Sequence, residues 1–406
     1  MIRVMHCVTS VRATDFFRGL ADHHDRRRIR MQIAALGGRS QLHEDLEPRG
    51  IPVWSLGCRS KADWPRTVLR LARLLRGERV DILHSHLFEP TLLGVAAARL
   101  AGVRTLVHTR HHADLHFVLG KLWHSRLDGW MARRADHVIA VSDQVADVLV
   151  RLEGVPRDRV EVIHTACDFI DLPRSSAAAC AQARATYGTE GKLVIGMVAR
   201  LHPIKGHRIL LNALAALGSS VPPWKALLLG DGPLRSEIEQ QIRARGLQDR
   251  VVLTGFLGAK ERVPCFSIMD LLVHPSLEDA APMPVLEAMA FGIPVIATPK
   301  GHVPRLIDDG RTGRVVPAGD VGALTEALRQ LLCNAALRAR LGTAGKARVA
   351  NGFRWADVAA AYEACYTRLL SAAAGTETAK GVTTPVQVEP ASSERSHHAV
   401  PVEAHS

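Results

Sequence analysis

The chain has 406 residues, more than one hydrophobic core normally serves, so two domains are expected. Its 47% hydrophobic and 23% charged residues are ordinary for a soluble globular protein, and no run of apolar residues is long enough for a transmembrane helix. The net charge of +12 invites a nucleic-acid reading; the excess is spread over both halves, aromatics make up 4%, and no DNA- or RNA-binding motif appears, so nucleic acid is set aside.

In chain order, the first strand is Ile2–Val8, followed by Thr9-Ser10-Val11-Arg12. Its MIRVMHCVTS start lacks the apolar run of a signal peptide, and the seven scattered cysteines form no Cys-x-x-Cys pair. Reduced thiols in a cytoplasmic protein are expected. Further strands are read at Arg30–Ala35, Ile82–His84, Thr105–Thr109 and His137–Val141. Amphipathic helices such as Trp64–Arg76 and Leu92–Leu100 lie between them, the pattern of parallel strands with crossover helices.

Two segments of this half are rich in histidine. One carries His84 and His86, the other His108, His111, His112 and His116. His112 and His116 are spaced to share a helix face, as zinc ligands can. No glutamate separates them and no cysteine lies nearby, so no metal is expected. The stretch Gly120–Arg134 combines Trp123 and Trp130 with Lys121, Arg126, Arg133 and Arg134. It reads either as a basic amphipathic surface for anionic lipid or as a core-facing helix leading into the next strand.

A first domain is therefore set at 1–173 and a linker at 174–188. A second strand series follows: Leu193–Val198, Lys225–Leu229, Arg250–Thr254, Leu271–His274 and Val295–Ala297. It defines a second domain at 189–353, a helix at 354–370 and a disordered tail at 371–406. Both units read as doubly wound, with ligands expected at the strand carboxyl ends.

The loops after these strands carry the chemistry. Arg200 and Lys205 suit a diphosphate: a guanidinium grips phosphate oxygens as a fork, an ammonium as a point charge. Gly206 permits close backbone approach, and Gly230-Asp231-Gly232-Pro233 permits a tight turn. The stretch His274–Pro299 reads as strand end, acidic loop, short helix and strand. Pro284 fits the first turn of that helix, whose N-terminus would offer free N–H groups to an anion. Asp279 and Glu287 could accept hydrogen bonds from sugar or ribose hydroxyls. Amides for an anion beside carboxylates for hydroxyls suit a nucleotide-sugar.

The run Asp279-AAPMPVL-Glu287, followed by Ala-Met-Ala, Gly and Pro-Val, resembles the acidic signature of retaining glycosyltransferases of family 4, glycosyl transferases group 1. Asp279 stands where that family has Glu. The segment MVARLHPIKGH resembles the family's Gly-Arg-Leu…Lys-Gly motif, with Ala199 for Gly, and TGFLG around Phe256 resembles its loop beside the nucleobase. Thr109-Arg110-His111 resembles its Thr-x-His turn, with His112 as the alternative register. Val162–Asp168 resembles its Val-Ile-Pro-Asn-Gly-Val-Asp segment, with Thr165-Ala166 for Asn-Gly, where a strained turn is expected.

The resemblance implies a GT-B fold, two Rossmann-like domains facing each other, with Trp355–Leu370 crossing back to the first. It implies a UDP- or GDP-linked donor, a glycan or lipid-linked acceptor, no metal and no cofactor besides that co-substrate. It assigns His111, Arg200, Lys205 and Asp279 to catalysis and Gly206, Gly230, Gly232, Phe256, Pro284 and Glu287 to donor binding. A cytoplasmic protein, peripheral at the inner membrane face, is expected. The family's Gly-Gly loop after the first strand is missing, so acceptor binding does not carry over. A nucleotide-sugar epimerase and a non-catalytic nucleotide-sugar binder are the rival readings.

Overall fold

The computed structural model describes residues 1–9, 14–112, 122–166 and 174–373. Ser10–Arg12, His116, Cys167, Asp168 and residues 374–406 lie outside the described residues. Two parallel sheets dominate. The first has seven strands: β1 (Ile2–Val8), β2 (Ile29–Ala35), β3 (Val53–Ser55), β4 (Ile82–His86), β5 (Thr105–Arg110), β6 (His137–Ala140) and β7 (Val160–Val162). Their order is β3-β2-β1-β4-β5-β6-β7, which places β1, β4 and β5 side by side at its centre. The second has six: β8 (Leu193–Val198), β9 (Trp224–Leu229), β10 (Val251–Gly255), β11 (Leu271–His274), β12 (Val295–Ala297) and β13 (Arg314–Val315), in the order β10-β9-β8-β11-β12-β13.

The central strands are largely buried, as parallel strands covered by helices must be; β8 is a continuous apolar run, whereas β1, β4 and β5 interleave histidines with apolar residues. The expected doubly wound architecture is thus present in both halves. Three strands escaped the sequence reading: β3, β7 and β13 are two or three residues long and lie on or beside sheet edges. Such lengths are too short to show a period.

The helix Ala177–Tyr187 fills most of the stretch read as linker. It packs with Cys265 and Phe266 of the helix Ala259–Ile268, so it belongs to the layer of the second sheet. The last helix, Trp355–Ala373, runs three residues into the stretch read as tail. It returns to the first sheet, burying Trp355, Tyr362 and Tyr366 against Phe17, Leu20 and Val107. Among the described residues no helix is long and apolar enough to cross a membrane.

The two halves touch at several points. Arg305 donates to Asp143 (2.8 Å), Gly301 N to Gln144 Oε1 (2.5 Å), and the His164 and His302 rings stack at 4.0 Å. Thr165 donates to Met283 sulfur at 3.6 Å. The strained turn expected at Thr165-Ala166 is absent: among the described residues only Arg79 and Leu87 are non-glycines with positive φ. Both turn residues are buried instead, Ala166 within the apolar cluster of the first domain.

Candidate active site

The second domain forms one wall from loops at the carboxyl ends of β8, β9 and β11. After β8 the chain makes a short turn, Pro203–Lys205, ending at Gly206 with φ 76°. A β-carbon there would collide with the carbonyl oxygen of Pro275, so the β8 and β11 loops lie in backbone contact because residue 206 is glycine. Leu277 N completes the junction by donating to Ile204 O at 2.7 Å.

That junction brings Lys205 to Asp279. Lys205 Nζ donates to Asp279 Oδ2 at 2.7 Å, and His274 Nε2 lies 2.8 Å from the same oxygen. Ser276 Oγ sits 3.0 Å from His274 Nε2. Burial alone would raise the Asp279 pKa; the His274 hydrogen bond and the Lys205 charge outweigh it and hold the carboxyl well below the usual range. Its neighbour Ala280 packs into the apolar cluster that includes Val141 and Val145 of the first domain. The acidic loop thus stands at the domain boundary. His274 carried no role in the sequence reading; as the last residue of an apolar strand it gave no separate signal.

Arg200 is exposed just past β8 and has no side-chain ion pair among the described residues. Gly230 follows β9 with φ 147°, where a β-carbon would strike the carbonyl oxygen of Ala199. Its N–H donates to Gly255 O at 2.9 Å, which ties the Gly230–Gly232 turn to the loop carrying Phe256. Phe256 is 56% exposed. Pro284 sits at the first turn of the helix Met283–Ala290, as its sequence position predicts. Glu287 is buried within that helix, and Arg262 donates to it at 3.2 Å. Arg262 also lies 3.7 Å from Asp15 of the first domain, an ionic link the motifs did not reveal.

The first domain supplies a wall of histidines from β1, β4 and β5. Register pairs His6 with His84 and Ser85 with His108. His111 follows β5, its Nε2 lying 3.0 Å from His86 Nδ1, while His86 Nε2 lies 2.9 Å from His6 Nδ1. His84 is held by the Tyr366 hydroxyl and the Thr109 hydroxyl, each at 2.6 Å. Burial pushes His111 down to about 4 and His6 and His108 down to about 3, and it holds His84 and His86 well below the ordinary imidazole value. The wall is therefore neutral at pH 7.

The two candidate histidines have different partners. His111 joins the histidine chain, whereas His112 lies 3.7 Å from Asp128 and lends its carbonyl to Arg110 at 3.1 Å. Arg110 is buried between Glu153 (2.5 Å) and Asp128 (3.3 Å). Burial raises the pKa of both acids, Asp128 to about 7, against the pull of the one guanidinium.

Two facing Rossmann-like domains, phosphate-suited cations at strand ends and a carboxylate at the domain boundary define a GT-B sugar-transferring enzyme. The description "Glycosyltransferase Family 4" matches residues 14–169 and "Glycosyl transferases group 1" matches residues 182–348. The alpha-D-kanosaminyltransferase of Streptomyces kanamyceticus is 30% identical over 290 residues, 68% of this chain and 74% of that protein. The D-inositol 3-phosphate glycosyltransferase of Streptomyces coelicolor is 30% identical over 321 residues, 71% of this chain and 68% of that protein. Among solved structures, HepE of Anabaena in complex with UDP and glucose superposes with a TM-score of 0.79 at 22% identity, covering 91% of this chain and all of that one. The chain belongs to the glycosyl transferases group 1 family and is a glycosyltransferase.

Proposed function

We propose that the protein moves a hexose-like sugar from a nucleoside diphosphate to an acceptor hydroxyl, retaining the anomeric configuration. The observation that carries this reading is the Lys205–Asp279–His274 constellation at the domain boundary. Lys205 has three N–H donors, so it can hold Asp279 and still meet a phosphate oxygen. Asp279 Oδ2 is shared by Lys205 and His274, which leaves Oδ1 for hydroxyls of the donor sugar. Arg200 and Lys205 stabilise the charge that develops on the departing diphosphate, the task a divalent metal performs elsewhere. Glu287 receives the ribose hydroxyls, and the Gly230–Gly232 turn and Phe256 border the nucleoside. His111 meets the transferred sugar from the opposite wall.

The relatives support a nucleotide-sugar donor: HepE is known in complex with UDP-glucose, and one relative at 28% identity is a GDP-mannose-dependent mannosyltransferase acting on a phosphatidylinositol monomannoside. The acceptor is read as a glycan or a lipid-linked saccharide. The helix Leu122–Arg134 fits the lipid side of that reading. Its outer face shows Trp123 (60% exposed) with Arg126, Arg133 and Arg134, while Asp128, Met131 and Ala132 are buried. One face thus serves the core and the other suits an anionic membrane surface.

The test is a thermal-shift panel of UDP- and GDP-linked hexoses without added metal. A shift with one donor, followed by transfer to a hydroxyl acceptor with unchanged anomeric configuration, is the expected result. A donor that binds and is epimerised, or binds and never reacts, overturns the transferase roles given to these residues.

A further inference from the structure

We infer that His86 and His6 are positioning residues for His111: together they decide which of its ring nitrogens carries the proton. The inference rests on the reading above, in which His111 meets the sugar. The contacts His111 Nε2 to His86 Nδ1 (3.0 Å) and His86 Nε2 to His6 Nδ1 (2.9 Å) each need one N–H and one lone pair. A neutral imidazole has one of each. His86 can therefore satisfy both neighbours only by donating to one and accepting from the other.

Two arrangements satisfy the chain. In the first, all three rings carry their proton on Nδ1: His6 donates to His86, His86 donates to His111, and His111 Nδ1 presents an N–H. In the second, all three carry it on Nε2, and His111 Nδ1 presents a lone pair. Passing from the first to the second moves one proton across each contact, releases one at His111 Nδ1 and takes one up at His6 Nε2. The nitrogen left for a substrate is thus a donor or an acceptor according to two residues that do not reach it.

The surroundings hold these rings. His84 stacks on His86 with centroids 4.3 Å apart and lies 4.9 Å from His6, while its own nitrogens are committed to Tyr366 and Thr109. Leu87, directly after His86, has φ 68°, a strained value for a bulky residue. Thr91 Oγ1 donates to its carbonyl at 2.6 Å, and the same hydroxyl lies 2.9 Å from His108 Nδ1. Strain of this kind persists where the neighbours over-determine a position. The nitrogens of His6, His84 and His86 are close enough for a metal ion. His6 Nδ1 and His86 Nε2 are committed to each other, however, and both nitrogens of His84 to hydroxyls.

The experiment is nitrogen-15 NMR of the histidine rings in the full chain without ligand. The expected result is one shared tautomer for His6, His86 and His111 at neutral pH. In His86→Phe, which keeps a stacked ring and removes both nitrogens, His111 should lose its fixed tautomer. The same variant should lower kcat about tenfold with donor KM nearly unchanged, and His86→Asn, whose amide nitrogen falls near Nδ1, should recover part of it. If His86→Phe does not fold, His6→Phe serves, read at the His86 ring. Opposed tautomers in His86 and His111, or a His111 ring indifferent to both substitutions, overturns the inference. The ring spectra need no substrate: an enzyme inactive with every donor defeats the transfer reading and still leaves the chain to be decided.

Discussion

The first domain brings together four buried histidines, His6, His84, His86 and His108, and the half-buried His111, whereas the second sets Lys205 against Asp279 and Arg262 against Glu287. One wall is made of neutral dipoles held uncharged by burial; the other is made of ions held in pairs. A sugar diphosphate carries its charge at one end and its hydroxyls at the other. Under the proposed function, a neutral histidine wall would not compete for the diphosphate, and the charged end would be drawn to Lys205 and Arg200.

Acid should break this contrast most severely. Each depressed histidine is neutral in the folded state and takes up a proton on unfolding below about 6.5. The stability it contributes is fully present above that value and is lost as pH falls towards the folded values, about 4 for His111 and about 3 for His6 and His108. The slope is about 1.4 kcal/mol per pH unit for each group, and several act together in one sheet. The second domain holds fewer such groups, with His207 pushed to about 4 by burial. Amides of β1, β4 and β5 should therefore lose hydrogen-exchange protection before those of β8, β9 and β11 on acidification. Simultaneous loss in both sheets would show that the histidine wall does not govern acid stability.

Lys205→Ala strikes the ionic wall. It removes a cation from the proposed diphosphate site and leaves Asp279 with His274 alone. Turnover should fall by about a hundredfold, with Lys205→Arg recovering part; turnover unchanged by Lys205→Ala would remove the residue from the mechanism. Asp279→Asn is expected to cost less, roughly tenfold in kcat/KM. The amide keeps the shape and can still accept from Lys205, but it loses the charge that the lysine and His274 enclose. A larger loss than that of Lys205→Ala would shift the main role from the cation to the carboxylate.

The two walls were unequally legible. Each second-domain group lies in a loop directly after a strand, so Arg200 with Lys205, the Gly230–Gly232 turn and Asp279 with Glu287 appear as local motifs. The structure then adds what local motifs omit, His274 beneath Asp279 and Arg262 beside Glu287. The histidine chain is assembled across β1, β4 and β5, whose neighbours in space are dozens of residues apart in sequence. A single His6 in an apolar strand is indistinguishable from any buried polar residue until register sets it beside His84. The alternation of strands and helices carried the architecture, while the two- and three-residue edge strands lacked the length to announce themselves.

The seam between the walls offers the smallest effect. Arg305 and Asp143 pair across it at 2.8 Å, yet their side chains are 62% and 50% exposed. An exposed pair contributes at most about 1 kcal/mol and is screened by salt. Two neighbouring contacts at this seam are of a different kind: the His164–His302 stack, whose second ring is buried, and the hydrogen bond from Gly301 N to Gln144. Arg305→Ala should accordingly leave both Tm and donor KM almost unchanged at physiological salt, while Gln144→Ala leaves an amide N–H without its acceptor and should lower Tm by a few degrees. If Arg305→Ala proves the more damaging of the two, the domains are seated by exposed charge, and the division into a neutral wall and an ionic wall does not extend to the surface that joins them.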